Sequence, residues 1–140
     1  MIKGLVLISL IFNSISCLAQ TGDLRIDVSD INSELGNIYV FLYSSEDGFP
    51  VDLSKAEKLI QTRIESQTVS VSFDNIKYGY YAISIYHDQD SNGEINTNFL
   101  GIPKEPVGVS NNAKGLMGPP KYEDAKFYFN KDITIEISIE

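Results

Sequence analysis

Apolar residues at every second position mark the first strand: Leu24, Ile26 and Val28 alternate with Arg25 and Asp27, the period of a strand with one buried and one wet face. Turn residues fill 30–36, and residues 38–43 (Ile-Tyr-Val-Phe-Leu-Tyr) are then apolar on both faces. That predicts a strand at the middle of a sheet or covered on both sides. After the turn chemistry of Ser44-Ser45-Glu46-Asp47-Gly48, Leu53, Ala56, Leu59, Ile60 and Ile64 recur at helical spacing. With Asp52 or Ser54 as cap, the spacing predicts one short helix or helical turn within 52–64. Val69, Val71 and Phe73 alternate with Ser70 and Ser72, giving a third strand. In the next, Tyr81, Ile83, Ile85 and His87 share one face, while Tyr80, Ala82, Ser84 and Tyr86 share the other. Gly79 followed by tyrosine at that strand's entrance resembles a tyrosine corner, in which the phenol bonds back to nearby backbone. Residues 126–129 and the alternating Ile133, Ile135, Ile137 and Ile139 close the chain. They read as a hairpin turning through Asn130-Lys131-Asp132.

Residues 96–125 show no sustained periodicity and carry four glycines and four prolines, far more chain than a usual connection. Phe99, Leu100, Ile102, Val107, Val109, Leu116, Met117 and Tyr122 give this segment enough apolar surface to predict an ordered loop. The sum is an all-β chain: an immunoglobulin-like or transthyretin-like β-sandwich of six to eight strands, with one short helical insertion and a long ordered loop. A closed barrel is the alternative. No internal repeat is present.

The N-terminus changes where such a domain is expected to work. Lys3 followed by the apolar run from Leu5 to Phe12 is far shorter than the roughly 20 residues of a membrane-spanning helix. It has the form of a secretory signal peptide at residues 1–19, with small residues placed for cleavage after Ala19 and a single domain over 20–140. In a competing reading Ser14-Ile15-Ser16 is a loose lipobox and Cys17 a lipid-modified first residue. Both readings take the chain out of the cytoplasm, to the periplasm, the outer surface or the medium. Removing residues 1–19 moves the formal charge from −8 to −9. An acidic chain is a poor match for nucleic acid, whose phosphates need a basic face, and for adhesion to an anionic membrane surface by charge, and is compatible with binding cations. Cys17 is the sole cysteine, so a chain cut after Ala19 is stabilised without a disulfide.

Residues 87–99, His-Asp-Gln-Asp-Ser-Asn-Gly-Glu-Ile-Asn-Thr-Asn-Phe, concentrate the candidate chemistry. Asp88, Asp90 and Asn92 stand at alternate positions, Gly93 follows where the loop must turn, and Glu94 comes next, as in the first half of an EF-hand-type calcium loop. Asn96 or Asn98 adds a further oxygen. Phe99 occupies the place of the bidentate glutamate, so the sphere requires a carboxylate from elsewhere, for which Glu105, Glu123 and Asp124 are candidates. Without an ion the same residues make a well-capped polar turn. A calcium loop of this kind would have a dissociation constant on the order of 0.1–1 mM. His87 is the only histidine, which excludes zinc centres built on several His or Cys ligands. Lying on the Tyr81 face, it points away from Asp88, as a packed strand-end histidine would. Tyr39, Tyr43, Tyr78, Tyr80, Tyr86 and Tyr128 are either ordinary sheet packing or a platform for sugars.

The run Tyr81-Ala82-Ile83, His87-Asp88, Asp90-x-Asn92-Gly93, Asn98-Phe99-Leu100-Gly101-Ile102-Pro103-Lys104-Glu105, Gly108, Ser110-Asn111-Asn112, Gly118-Pro119-Pro120 and Glu123-Asp124-Ala125 resembles the bacterial secreted family known as domain of unknown function 2141. The resemblance spans nearly the whole chain after residue 19. It implies a secreted bacterial domain and carries no assigned reaction. Three functional readings follow. In the first, a non-enzymatic binding or interaction module, with a candidate calcium ion, presents His87, Asn98, Glu105, Asn111, Asn112 and Asp124 to a ligand or protein. In the second, a hydrolase-like enzyme uses His87 with Asp88, Glu105 or Asp124. In the third, the chain is a structural envelope protein.

Overall fold

The computed structural model describes residues 20–140; the expected signal peptide and Cys17 lie outside them. Strands β1 (Thr21–Ser29), β2 (Asn37–Tyr43), β3 (Lys58–Arg63), β4 (Val69–Lys77), β5 (Gly79–Asp88), β6 (Val107–Val109), β7 (Phe127–Phe129) and β8 (Ile133–Ser138) form two sheets. One is ordered β4-β1-β8 and the other β3-β2-β5-β6, with β7 also on β5. They enclose a β-sandwich core. Leu24, Ile26, Val28, Phe73 and Ile137 from the first sheet meet Ile38, Val40, Leu42, Tyr81, Ile83 and Ile85 from the second. Among the described residues no helix is long and apolar enough to cross a membrane.

The doubly apolar β2 is central, between β3 and β5. Its inner residues enter the core, while Phe41 and Tyr43 join Tyr86 in a second apolar layer on the outer face. There Tyr39 stacks on Tyr86 at 4.7 Å with an interplanar angle of 2°, and Phe49 meets Tyr43 and Tyr122 edge-on. The chain segments after β2 and β5 fold back over this layer, which is why β2 has no wet face.

Two elements differ from the sequence pattern. The helical spacing over 52–64 yields only a 3-10 turn, Leu53–Lys55, capped by the Asp52 carboxylate accepting the Ser54 N–H at 3.1 Å. The rest becomes β3, an edge strand whose Leu59 stays half exposed. There the ladder with β2 offers more than an isolated helical turn. The closing hairpin does not form. β7 pairs antiparallel with β5 in one sheet, whereas β8 pairs in parallel with β1 in the other. The physical reason is burial. Crossing between sheets lets Phe129 and Ile137 enter the common core from opposite sides, each with no exposed surface.

The long segment is ordered, but not by the apolar packing expected of it: Phe99, Leu100, Ile102, Leu116 and Met117 stay exposed, and hydrogen bonds tie the segment to β5. Val107 and Val109 add the short β6 to the edge of β5, a 3-10 turn spans Ser110–Asn112, and a helical turn, α1 (Tyr122–Ala125), precedes β7. Ser110 is fully buried; its Oγ accepts the Ile83 N–H at 2.9 Å and donates to the Ala125 carbonyl at 2.7 Å. Ser110→Ala leaves both buried backbone groups unpaired. It is expected to lower unfolding stability by about 1–3 kcal/mol, measured by urea denaturation. The Tyr81 hydroxyl donates to the Lys77 carbonyl at 2.9 Å, the back-bond expected at the entrance to β5.

Candidate metal centre

Asp88 is the last residue of β5 and lies on that strand's outer face, opposite the core-facing His87. Its position is set from below by β2, where it pairs with Asn37, and by the β1–β2 turn. There Gly36 (φ +80°) approaches so closely that a Cβ would stand 1.8 Å from the Asp88 carbonyl oxygen. The segment from 89 to 106 leaves β5 at Asp88 and returns to it at β6. The Pro106 carbonyl accepts the His87 N–H at 2.9 Å. Glu105 is therefore delivered to the start of the loop, although 17 positions separate it from Asp88 in sequence.

Three carboxylates meet at this point. Asp88, Asp90 and Glu105 each offer an oxygen within 4.8 Å of the other two. For any such triangle a point exists within about 2.8 Å of all three, close to the 2.3–2.6 Å of calcium–oxygen bonds. Asp88 is completely buried, Glu105 is 7% exposed and Asp90 faces solvent. No Lys, Arg or His among the described residues forms an ion pair with any of them.

Backbone amides hold the buried pair in place. Asp88 Oδ1 accepts from Asn92 N at 3.1 Å and Oδ2 from Gly93 N at 2.9 Å. Glu105 Oε1 accepts from Gln89 N at 2.9 Å and Oε2 from Asn96 N at 3.0 Å. All four oxygens thus act as acceptors, the role of the ionised carboxylate, and each retains a lone pair for a cation. Their charge reaches the aromatic layer as well. The Tyr86 hydroxyl is pushed far above its usual range, first by burial, then by Tyr39, Asp88 and Glu105.

The other ligand candidates of the loop fall around this core. Asp90 Oδ2 accepts from the side-chain amides of Asn92 (3.2 Å) and Asn96 (2.8 Å). Asn92 Oδ1 accepts the Glu94 N–H at 2.8 Å. The Glu94 side chain is exposed. Gly93 has φ +79° with open space where a Cβ would be, so the turn needs glycine for its backbone and not for room.

The remaining candidates are placed elsewhere. Asn98 closes the tip of the loop, its Oδ1 accepting Leu100 N and Ile102 N. Asn111 Nδ2 donates to the carbonyls of Asp124 and Lys126, and Asn112 Oδ1 accepts Ser138 N. Both take left-handed backbone, φ 59° and 46°, which asparagine tolerates. Asp124 is exposed on α1, and Glu123 pairs with Lys126 at 2.6 Å. Neither joins the carboxylate cluster. The His87 ring is fully buried; its Nε2 donates to the Leu35 carbonyl at 2.7 Å and Nδ1 has no partner among the described residues. A strand separates this ring from the Asp88 carboxylate, so the two form no dyad. Two open depressions, one lined by Ser29–Asn32 with Gln67 and Thr68, the other by Asp23, Arg25, Ser72 and Asp132–Thr134, do not include it. Of the tyrosines, Tyr43 and Tyr86 are buried, whereas Tyr80 and Tyr128 remain exposed as a cross-strand pair.

Gly36, which sets this geometry, and Ser110, which ties the long segment to β5, give no chemical signal in the sequence. Gly36 looks like any turn glycine, and its role depends on a carbonyl more than fifty residues away. Ser110 is a single hydroxyl in a loop. Only the tertiary contacts distinguish them.

A family model described as an uncharacterized protein conserved in bacteria (DUF2141) matches residues 26–136, and the chain belongs to that family. No curated protein and no solved structure matches it.

Proposed function

We propose that this member of the family is a non-enzymatic binding module that acts outside the cytoplasm and holds calcium in the loop following β5. The observation that carries the reading is the meeting of Asp88 and Glu105, both at least nine-tenths buried, with Asp90 and without a basic residue. Burying two like charges costs several kcal/mol, and an oxygen-seeking divalent cation offsets that cost directly. Calcium suits the donors better than zinc or copper because every candidate ligand is oxygen. Asp88, Asp90 and Glu105 supply the charge, while Asn92, Asn96 and the carbonyl near Glu94 are the neutral donors within reach of the loop. Glu105 takes the part that Phe99 cannot. Export is supported by the signal-like residues 1–19. The hydrolase reading gains no support, since the buried His87 shares no site with a carboxylate. Isothermal calorimetry of the purified chain with calcium tests the proposal. One-site binding with a dissociation constant on the order of 0.1–1 mM is expected; no heat at several-millimolar calcium contradicts it.

A further inference from the structure

Strand β4 ends its sheet and is poorly guarded for an edge. β1 lies on one side of it, and among the described residues no strand pairs with the other side. The open edge of the second sheet, β3, carries Lys58 and Arg63, the kind of charge by which sheet edges turn away a further strand. From Val69 to Phe73 β4 reads Val-Ser-Val-Ser-Phe, with no charge and no proline.

The direction of each backbone group on this edge follows from its neighbours. The Ser29 carbonyl accepts the Ile139 N–H at 3.2 Å, so Arg25, Asp27 and Ser29 turn their backbone groups toward β8, and Leu24, Ile26 and Val28 turn theirs toward β4. Their partners Phe73, Val71 and Val69 face back to β1. The N–H and C=O of Ser70 and Ser72 therefore point out of the sheet. Their hydroxyls are engaged elsewhere, Ser70 Oγ donating to Asp27 Oδ1 at 2.5 Å and Ser72 Oγ to Asp74 Oδ1 at 2.8 Å. The open row stops on both sides. Before it, the Thr68 N–H and carbonyl are both bonded to Ser66 Oγ. After it, the register with β1 shifts between Phe73 and Ile76, where Asn75 takes φ 55° and donates its N–H to Asp23 Oδ1.

We propose that this edge is a homodimer interface, in which two copies pair antiparallel through Ser70 and Ser72 about a two-fold axis at Val71 and join their sheets into one. The row selects a second copy because it matches itself. With the axis at Val71, Ser70 of each copy stands opposite Ser72 of the other, and the outward N–H and C=O of both serines are satisfied in both copies. On the core side half-buried Val71 meets its own counterpart and Val69 meets Phe73. On the outer side serine meets serine, and the nearest charge, Asp74, faces Thr68, so no like charges stand opposite each other. An axis at Ser70 or at Ser72 brings in the engaged Thr68 or the displaced Asp74 and leaves half of the outward groups unpaired. The formal charge of −9 beyond residue 19 opposes association, but none of it lies on the paired residues. Salt screens that repulsion and should strengthen the dimer.

Sedimentation equilibrium of the purified chain in EDTA, from about 10 µM to about 1 mM, tests the interface. The mass should rise from that of one chain toward that of two, and more steeply at about 0.3 M than at about 0.03 M salt. Over the same range, deuterium exchange at the Ser70 and Ser72 amides should slow at least about twofold. Ser72→Pro removes an outward N–H and spares the ladder with β1, a position where an edge strand tolerates proline; it should abolish the concentration-dependent rise. Should that variant not fold, amide exchange in the unsubstituted chain decides. A single-chain mass throughout the range overturns the inference. So does a dimer whose Ser70 and Ser72 amides exchange no more slowly than in the single chain, or a dimer that a folded Ser72→Pro variant still forms.

Discussion

Asp88→Ala is expected to abolish the stabilisation of the protein by calcium. With a dissociation constant of 0.1–1 mM, 10 mM calcium stabilises the native chain by about 1.4–2.7 kcal/mol, a rise in melting temperature of roughly 5–10 °C for a domain of this size. The substitution deletes the most buried carboxylate of the cluster, and Asp90 and Glu105 alone do not make a closed site. Without calcium the change has two opposed effects. It leaves the amide of Gly93 without its acceptor and that of Asn92 with Asp90 Oδ1 alone, worth about 1–3 kcal/mol, and it relieves the repulsion between Asp88 and Glu105. The calcium-free melting temperature should therefore fall only modestly while the calcium response disappears. Thermal denaturation with calcium and with EDTA separates the two. Asp124→Asn, altering an exposed carboxylate outside the cluster, should leave the calcium response intact.

Gly36→Ala should be strongly damaging. The residue has positive φ, and the added Cβ would lie 1.8 Å from the Asp88 carbonyl oxygen and 2.8 Å from Gln89 Cα. Both neighbours are backbone, so no side chain can swing away to make room. Left-handed strain costs on the order of 1–3 kcal/mol and overpacking a similar amount, giving a loss of about 2–6 kcal/mol. The midpoint of urea unfolding should fall by about 1–2 M. Relief of the clash requires the β1–β2 turn and the end of β5 to separate, which displaces Asp88 itself; calcium binding should weaken in the same variant. A variant as stable as the original would show that the turn does not hold the loop.

How much of this is legible in the sequence depends on whether the signal is local. The alternation of Leu24, Ile26 and Val28, and that of Tyr81, Ile83 and Ile85, reports burial of one face and locates β1 and β5 directly. The doubly apolar 38–43 run also speaks for itself, because both its faces are covered. The segment 52–64 misleads because an edge strand need bury only part of one face. Leu59 and Ile60, adjacent in sequence, imitate a helical stripe. The parallel pairing of β8 with β1 joins opposite ends of the chain, and nothing near Ile133 encodes it. The same division runs through the candidate site. Asp88, Asp90, Asn92 and Gly93 are readable from spacing, as is the vacancy at Phe99. Glu105 stands beside Glu123 and Asp124 as one of three equal candidates until the chain's return through Pro106 brings it alone to the loop.

The most direct test of the account is a crystal structure of the chain grown with calcium. It should show one ion 2.3–2.6 Å from carboxylate oxygens of Asp88, Asp90 and Glu105, with the amide contacts of Gly93 and Asn96 retained. Calcium bound elsewhere, or the three carboxylates turned apart around water in the presence of the ion, would contradict it.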